Sequence, residues 1–348
     1  MSEIDQGVLE ALSKQVAADV AGGLGIILLR IGEQTGLFAA LAQGPATSVE
    51  LAERAGLAER YVREWASAMA AACYIAYDPA AAEFSLSPEQ EEVFARPGAA
   101  RYAPPYGDLL VAIAHDEALV TEAFRTGEGI PWGAHHGCLF CSTERLTGQM
   151  VVPQLIHNWL PQIAGDLPPA PRVADIGCGR GKAALALAKA FPQAEVHGFD
   201  LHEPSIAYAR DMAAREGIGN AHYVVGPAEA ASGSGFDLAV IIDALHDMGD
   251  PVGVAANVRT MLKPGGRFLV IEPYAGDRLE DNLTLSGRVA YAASTCICTP
   301  ASLSQPGRAA LGAQAGYARL RGVLERAGYR RIEPVQNEPY NIVIAAIA

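Results

Sequence analysis

Residues 172–200 read RVADIGCGRGKAALALAKAFPQAEVHGFD, and this stretch decides the fold. A short apolar strand leads into a glycine-rich turn, an apolar helix and a second strand that ends in an aspartate. Gly177, Gly179 and Gly181 let the backbone turn tightly and approach a ligand at a point where any Cβ would intrude. The order strand, turn, helix, strand predicts a nucleotide pocket at the carboxyl ends of parallel strands.

Acids at the ends of these two strands indicate the kind of ligand. Asp175 stands where the ligand needs an anion, and Asp200 is placed to accept hydrogen bonds from both hydroxyls of a ribose. Two acids without a phosphate-binding lysine indicate a ligand without phosphates. The NAD fingerprint requires GxGxxG, whereas this turn reads GxGxG with Lys182 in the last place. A purely structural strand, turn and helix is the other alternative.

The turn resembles motif I of the class I S-adenosylmethionine-dependent methyltransferases, with D-I-G-C-G-R-G as the D/E-x-G-x-G-x-G element. The resemblance implies S-adenosylmethionine as the cofactor. It also implies an α/β fold class, a Rossmann-like seven-stranded methyltransferase sheet with an N-terminal, mainly helical winged-helix domain. The expected cofactor-binding residues are Asp175, Gly177, Cys178, Gly179, Gly181, Asp200, Leu201, Ala228, Glu229 and Asp243.

The third strand of this sheet departs from the family pattern. After YVV the family usually has a short acidic element that accepts a hydrogen bond from the adenine amino group, whereas this chain has Gly226, Pro227, Ala228 and Glu229. Either Glu229 supplies the contact, or Ala228 and its neighbours pack on the ring and the backbone makes the contact. Glu229 as a solvated charge is an equal alternative.

Composition limits the partners. The formal net charge of −13 argues against nucleic acid, because such binding depends on Lys and Arg that neutralise phosphates. No run is expected to reach membrane-spanning length, and the start, MSEIDQGVLEALSK, lacks the basic and apolar regions of a signal peptide. We therefore predict a cytoplasmic protein without a membrane partner, whose six cysteines are thiols.

The N-terminal part has the pattern of a winged helix. Thr47, Ser48 and Glu50 open a helix that ends at Gly56, a second helix follows over residues 59–74, and IAYDPAAAEFSLSP predicts two short strands around an Asp-Pro turn. The second helix mixes acidic and basic residues and carries no basic stripe, so its charge contradicts a DNA-binding function.

Dimerisation is the alternative use of this region. The segment LGIILLRIGEQTGLFAAL is more apolar than one small domain needs and suits burial against a second chain, with ordinary core as the competing interpretation. The region resembles the N-terminal dimerisation domain of small-molecule O-methyltransferases. The resemblance implies a homodimer that acts on a small-molecule substrate.

Three segments divide the chain. We predict a winged-helix dimerisation domain over residues 1–96, a helical and irregular linker over 97–166 that borders the substrate pocket, and a Rossmann-like domain that binds the cofactor over 167–348. Seven strand candidates stand in the last segment, and the final two should form an antiparallel hairpin. The strand candidates are RVADIG, AEVHGFD, HYVVG, FDLAVIID, RFLVIEP, RRIEPV and YNIVIAAIA.

The catalytic candidates follow the fourth strand of the sheet. His246 and Asp247 come just past its carboxyl end, where a transferable methyl group would be presented. A histidine of unperturbed pKa, roughly 6.5, suits removal of a proton from a phenol or a similar acid. The element resembles the LHDW segment of O-methyltransferases, in which the histidine is the general base, with Met248 here in place of the tryptophan. The competing interpretation is that His246 only hydrogen-bonds the loop.

Cysteines mark a difference from that family. Cys138 and Cys141 form a C-x-x-C in the irregular linker, and Cys296 and Cys298 follow the fifth strand. They are either thiols that behave as small apolar residues or soft ligands for a metal or metalloid. No metal site is assigned. The expected substrate-pocket residues are Trp132, His136, Cys138, Cys141, Tyr291 and Cys296.

The sequence therefore predicts methyl transfer from S-adenosylmethionine to a small molecule, with oxygen favoured because His246 resembles a base. Transfer to sulfur or to a thiol-bound metalloid held by Cys138, Cys141 and Cys296 is the first alternative. A non-catalytic regulator that binds the cofactor, or a reaction other than methyl transfer, are the others.

Overall fold

A computed structural model describes residues 4–163, 167–227, 235–335 and 340–348. The chain divides into two compact units. The first contains residues 1–114 and 141–149, and the second contains residues 115–140 and 150–348. The segment 97–166, which the sequence suggests as a separate linker, is thus divided between the two units.

The first unit is mainly helical and contains the predicted wing. Thr47 caps α3 through a complete capping box with Glu50, as the sequence predicts. The wing strands pair antiparallel, with Tyr77 opposite Phe84. The elements are α1 (Gln6–Gln34), α2 (Leu37–Leu41), α3 (Ser48–Ala55), α4 (Glu59–Ala71), β1 (Ala76–Asp78), β2 (Glu83–Ser85), α5 (Pro88–Phe94) and α6 (Pro105–His115).

The first helix, α1, is unusually exposed along most of its length. In the described part of the chain it is the one helix long and apolar enough to cross a membrane, and 17% of its most apolar window is buried. By its length and composition α1 could cross a membrane, so the expectation that no stretch reaches membrane-spanning length is wrong. The large apolar residues of α1 and its N-terminal approach that are more than 40% exposed are Ile4, Val8, Leu9, Leu12, Val16, Val20, Leu24 and Ile31.

The second unit alternates helices with strands. Its helices include short π-helical turns at Leu155–Trp159 and Ser294–Cys298. Its helices are α7 (Glu117–Thr126), α8 (Gly137–Leu146, which continues into the first unit), α9 (Val152–Gln154), α10 (Leu160–Ile163), α11 (Lys182–Ala190), α12 (Glu203–Arg215), α13 (Pro251–Met261), α14 (Leu285–Ala293), α15 (Thr299–Leu303) and α16 (Gly316–Arg326). Its strands are β3 (Arg172–Ile176), β4 (Glu195–Asp200), β5 (Ala221–Val225), β6 (Phe236–Ile242), β7 (Leu262–Pro273), β8 (Arg331–Pro334) and β9 (Asn341–Ile347).

The seven strands form one sheet in the order β5-β4-β3-β6-β7-β9-β8. The first five are parallel, whereas β9 pairs antiparallel with both β7 and β8. All seven residues of β6 are buried, because helices cover both faces of the sheet. The seven predicted strands and the final hairpin are confirmed. The carboxyl ends of β3, β4, β6 and β7 meet at one edge, where ligands of such sheets bind.

One predicted irregular segment is helical. Residues 125–148 were expected to be irregular, but α8 covers ten of them, so Cys138 and Cys141 lie on a helix. Leu139 and Phe140 are buried within this helix, and their burial stabilises a helix that the neighbouring glycines disfavour.

Candidate active site

The glycine turn after β3 leaves its backbone accessible. Gly177, Gly179 and Gly181 have φ of +66°, +51° and +78°, which favour glycine. A Cβ added at Gly179 would meet no atom within 4 Å, so this residue faces open space. A Cβ at Gly181 would lie 2.5 Å from the ring of Tyr223. Gly181 is therefore needed for packing, and Gly179 for exposure of the backbone to a ligand.

Asp200 joins this turn to the next loop. Its carboxylate accepts hydrogen bonds from the backbone N–H of Gly179 and of His202, each at 2.8 Å. Burial nevertheless raises the pKa of Asp200, against the opposing effect of these two hydrogen bonds. The carboxylate lies at the carboxyl end of β4, which is the position that the sequence predicts for a ribose-binding acid.

Two further acids lie near the same edge, Asp175, which is buried, and Asp243, which is half-buried. Burial raises the pKa of Asp175 to about 7, although the N–H of Ala184 donates to its carboxylate at 3.0 Å. Burial also raises the pKa of Asp243 to about 7, and the charge of Glu272 adds to this effect. Asp243 has a strained φ of +47°, and its Oδ1 is buried without a hydrogen-bond partner among the described residues.

These features fit a positively charged nucleoside. Carboxylates whose pKa values are raised by burial and by one another become more favourable when a cation lies beside them. The open space beside Gly179 leaves room for such a ligand, and the orphaned oxygen of Asp243 leaves a polar group for it to bind.

The sequence also predicts cofactor binding by Cys178, Leu201, Ala228 and Glu229. Burial raises the pKa of Cys178 well above its ordinary value, so this cysteine is a neutral thiol inside the turn. Leu201 is 66% exposed just after Asp200. Ala228 and Glu229 lie outside the described residues.

His246 lies in a short 3₁₀ turn, Leu245–Asp247, beyond β6. Its Nδ1 pairs with Oε2 of Glu272, and the N–H of Leu245 donates to Oε1 of the same carboxylate at 2.9 Å. Glu272 is 1% exposed and lies on the adjacent strand β7. It fixes the turn and orients the imidazole by holding Nδ1, so that Nε2 is the ring nitrogen not engaged by Glu272. Glu272 is not among the site residues predicted from the sequence.

Two polar groups lie beside Nε2 of His246. Oδ1 of Asp247 is 3.1 Å away, but it is not aligned for a hydrogen bond. Burial would lower the pKa of His246, but the charges of Asp247 and Glu272 outweigh it and raise that pKa well above the ordinary value. The expectation of an unperturbed pKa is therefore wrong. Burial also raises the pKa of the Cys298 thiol to about 11, which keeps it neutral beside His246.

Hydrogen bonds from the α15 region hold this loop. Gln305 donates to the carbonyl of Asp247 at 2.8 Å and accepts from the N–H of Gly249 at 3.1 Å. Ser302 donates to the carbonyl of Met248 at 2.7 Å. The turn is therefore a rigid support for His246.

The segment after α7 packs on the loop that follows β4. Trp132 contacts Phe140 with ring centroids 5.7 Å apart, and Phe140 contacts His202 at 4.5 Å. His136 accepts a hydrogen bond at Nδ1 from the N–H of Cys138 at 3.2 Å. Trp132, His136 and Cys138 thus belong to one segment that packs on the loop carrying Asp200. Their role in binding the substrate stays a prediction.

The structure does not assemble the thiols as one metal site. None of the six cysteines forms a disulfide. Across the described ranges, the one group of three potential metal-binding side chains is His246, Asp247 and Cys298, and it includes neither Cys138 nor Cys296. Cys141 lies in the first unit. Tyr291 and Cys296 are half-buried on α14 and on the π-helical turn that follows it.

Comparison with known proteins identifies the second unit. Residues 169–328 match the family model of a methyltransferase domain. The chain carries a methyltransferase domain. Residues 23–96, ahead of the methyltransferase domain, match an Rv2258c-like winged HTH domain. The predicted methyltransferase with a winged-helix domain is thus confirmed.

Curated relatives resemble the methyltransferase domain over part of their length. The ubiquinone biosynthesis O-methyltransferase of Acinetobacter baumannii (strain AYE) is 32% identical over 112 residues, which are 31% of this chain and 46% of that protein. The 27-O-demethylrifamycin SV methyltransferase of Amycolatopsis mediterranei (strain S699) is 31% identical over 163 residues, which are 42% of this chain and 55% of that protein. The chain therefore spans about half the length of these relatives.

Solved structures share the fold over the whole chain. The mitomycin 7-O-methyltransferase MmcR is 20% identical with a TM-score of 0.70, and the match covers 99% of this chain and 100% of that one. Human N-acetylserotonin methyltransferase in complex with SAM is 16% identical with a TM-score of 0.70, over 100% and 99% of the two chains. These likenesses show that the methyltransferase domain and the winged helix together form a known two-domain fold.

Proposed function

We propose that the protein transfers a methyl group from S-adenosylmethionine to a hydroxyl oxygen of a small molecule, with His246 as the general base. The observation that carries this proposal is the pairing of His246 Nδ1 with buried Glu272 at the carboxyl end of β6. The similar proteins named as O-methyltransferases support oxygen as the acceptor atom.

The glycine turn, Asp200 and Asp243 hold the cofactor. The Gly177–Gly181 turn presents backbone to the nucleoside, and Asp200 binds its ribose. Asp243, with its unpartnered oxygen, binds a polar or cationic group of the ligand. Bound S-adenosylmethionine supplies a methyl group on a positively charged sulfur, which is a good leaving group.

His246 then removes the proton of the attacking hydroxyl. S-adenosylmethionine, when bound, would give its methyl group to the hydroxyl oxygen and leave as S-adenosylhomocysteine, and Nε2 of His246 takes the hydroxyl proton. Glu272 stabilises the resulting imidazolium through Nδ1. Gln305 and Ser302 keep the loop in place, so the reaction needs little rearrangement of the base.

Product formation tests the proposed function directly. Protein incubated with S-adenosylmethionine, labelled with tritium in its methyl group, and with a panel of phenols and other hydroxylated small molecules should release S-adenosylhomocysteine and label one of them. Cofactor binding without transfer to any member of the panel would instead support a non-catalytic regulator.

The pH profile should show the raised pKa of His246. Because only the unprotonated imidazole accepts a proton, kcat/KM should rise with pH through a limb whose midpoint lies above about 6.5. Glu272→Gln removes one of the charges that raise this pKa, so its limb should move to lower pH. A profile that is flat between about pH 5 and 9 would contradict a base at this position.

The same pKa shift affects stability. A histidine whose folded-state pKa is raised stabilises the fold at pH values below its unfolded pKa, and this contribution is lost as the pH rises through the folded-state pKa. The variant Glu272→Gln should therefore lose part of the stability that wild-type protein has at acidic pH.

We infer further that the protein is a homodimer that buries α1. The row Val8, Leu12, Val16 and Val20 recurs every four residues, so these side chains lie on neighbouring turns of the helix. An exposed apolar surface of this length marks an interface. The matched winged HTH domain, residues 23–96, begins after this row and includes only the C-terminal part of α1, so it supports dimerisation of the first unit in general.

Acidic side chains introduced on this row of α1 should dissociate the dimer into monomers. The double variant Leu12→Glu, Val16→Glu places two carboxylates in an apolar interface, where burial of unpaired charge is strongly unfavourable. Light scattering coupled to size exclusion should show a dimer for wild type and a monomer for the variant. The control is Lys14→Glu, which lies on the opposite face of the same helix, is exposed and changes the net charge by the same amount. A wild-type monomer, or a variant that stays dimeric, would show that α1 is not the interface.

A further inference from the structure

A second imidazole–carboxylate pair lies in the same unit as His246. Asp116 is 3% exposed, and its carboxylate accepts from Nδ1 of His135 at 2.9 Å and from the N–H of His136 at 3.0 Å. Its other oxygen pairs with Nδ1 of His115 at 3.0 Å. Burial alone would raise the pKa of Asp116, but these hydrogen bonds outweigh burial and hold that pKa below its ordinary value.

An ionised Asp116 fixes the tautomer of His135. The proton must lie on Nδ1 to donate to the carboxylate, so Nε2 of the neutral ring presents a lone pair. The side chain of His135 is 1% exposed, and Nε2 has no hydrogen-bond partner in the part of the chain that the structure describes. A buried acceptor without a partner is unfavourable and is typical of a site that a ligand satisfies.

His135 is held close to the catalytic turn. The N–H of Ile130 donates to the carbonyl of Pro300 at 3.0 Å, which fixes this segment against α15, directly after Cys298. Trp132 packs edge to face on the ring of His135 with centroids 6.2 Å apart. Burial is the largest effect on the pKa of Asp247 and raises it, and both His246 and His135 lie close enough to that carboxylate to influence its pKa. His135 and His246 therefore act on the same carboxylate.

We propose that Nε2 of His135 accepts a hydrogen bond from a second polar group of the methyl acceptor, besides the hydroxyl that reacts. This inference rests on the proposed function and narrows its substrate class. The acceptor is a small molecule that carries a second hydroxyl or an N–H group near the first. Asp116 is a positioning residue, because it orients His135 and does not itself contact the acceptor.

The test uses phenol and the three dihydroxybenzenes, catechol, resorcinol and hydroquinone, as probes. Calorimetry in the presence of S-adenosylhomocysteine should show that at least one dihydroxybenzene binds wild type roughly tenfold more tightly than phenol, because it makes one more hydrogen bond. His135→Asn keeps an N–H donor for Asp116 but removes the Nε2 acceptor, so the advantage over phenol should disappear.

His115→Asn is the matched control. His115 pairs with the same carboxylate, but its side chain is 64% exposed, so this variant should keep the full advantage of the dihydroxybenzene. No advantage over phenol in wild type, or an equal advantage in His135→Asn, would overturn the proposal. The proposed function fails on a different measurement, namely no release of S-adenosylhomocysteine with any hydroxylated acceptor.

Nitrogen NMR of the imidazoles tests the role of Asp116 separately. In wild type, Nδ1 of His135 should carry the proton and Nε2 should show the shift of an unprotonated nitrogen. In Asp116→Ala the fixed acceptor for Nδ1 is lost, so the Nε2–H tautomer should become populated. An unchanged tautomer in that variant would show that Asp116 does not position His135.

Discussion

Replacement of His246 by alanine is expected to lower kcat by roughly a hundredfold or more, because general-base catalysis by a positioned side chain contributes about 10²–10⁴ to the rate. The imidazole is fixed by Glu272 and lies next to the proposed cofactor site, so its loss should remove the proposed proton acceptor from an otherwise intact pocket. Affinity for S-adenosylhomocysteine should change little, since His246 is not one of the groups that bind the nucleoside. Steady-state kinetics and calorimetry on the same preparation measure both quantities.

His222→Ala provides the control for this variant. His222 is exposed on the edge strand β5, so its removal should leave kcat unchanged. Full activity of His246→Ala would exclude the histidine as the base. Such a result would leave it as a group that only holds the loop.

Replacement of Asp200 by alanine is expected to abolish detectable binding of S-adenosylmethionine. The change removes the acceptor for the ribose hydroxyls, and it also leaves the N–H groups of Gly179 and His202 without their carboxylate. The glycine turn would then lose both its ligand contact and its support. Calorimetric titration measures the loss.

Glu195 offers a matched control at the opposite end of β4. Its side chain is 46% exposed and makes surface pairs with Arg172 and His197, so Glu195→Ala removes a carboxylate from the same strand without touching the turn. It should bind the cofactor as wild type does. Unchanged affinity in Asp200→Ala would contradict the assignment of the ribose contact.

The architecture was predictable because it depends on local patterns. Apolar runs of strand length, separated by helical stretches, predicted all seven strands, and the positions of Gly177, Gly179 and Gly181 predicted the turn that β3 leads into. The capping box at Thr47 was equally local. Each of these signals lies within a few residues of the structure it specifies.

The electrostatics of the site were not predictable in this way. Glu272 reaches His246 from a neighbouring strand, 26 residues away in sequence, and it raises a pKa that the sequence alone left at its ordinary value. A signal was present: Glu272 is the one charged residue in the otherwise apolar run FLVIEP. A carboxylate at the carboxyl end of a central strand should be treated as a candidate site residue.

The segment before α8 was the least predictable. The glycines at 133 and 137 concealed a helix that forms because Leu139 and Phe140 are buried. His135 could not be recognised from the sequence either, because its partner Asp116 lies 19 residues earlier and the pair forms only in the folded chain. The sequence pattern instead indicated the neighbouring His136, whose Nδ1 accepts a hydrogen bond from the backbone N–H of Cys138.

Titration of the wild-type protein with S-adenosylhomocysteine, and separately with NAD, tests the central claim most directly. The open turn at Gly179, the acid at Asp200 and the surplus of buried carboxylates predict one molecule of S-adenosylhomocysteine per chain and no measurable heat with NAD. Binding of NAD, or of neither compound, would contradict the account.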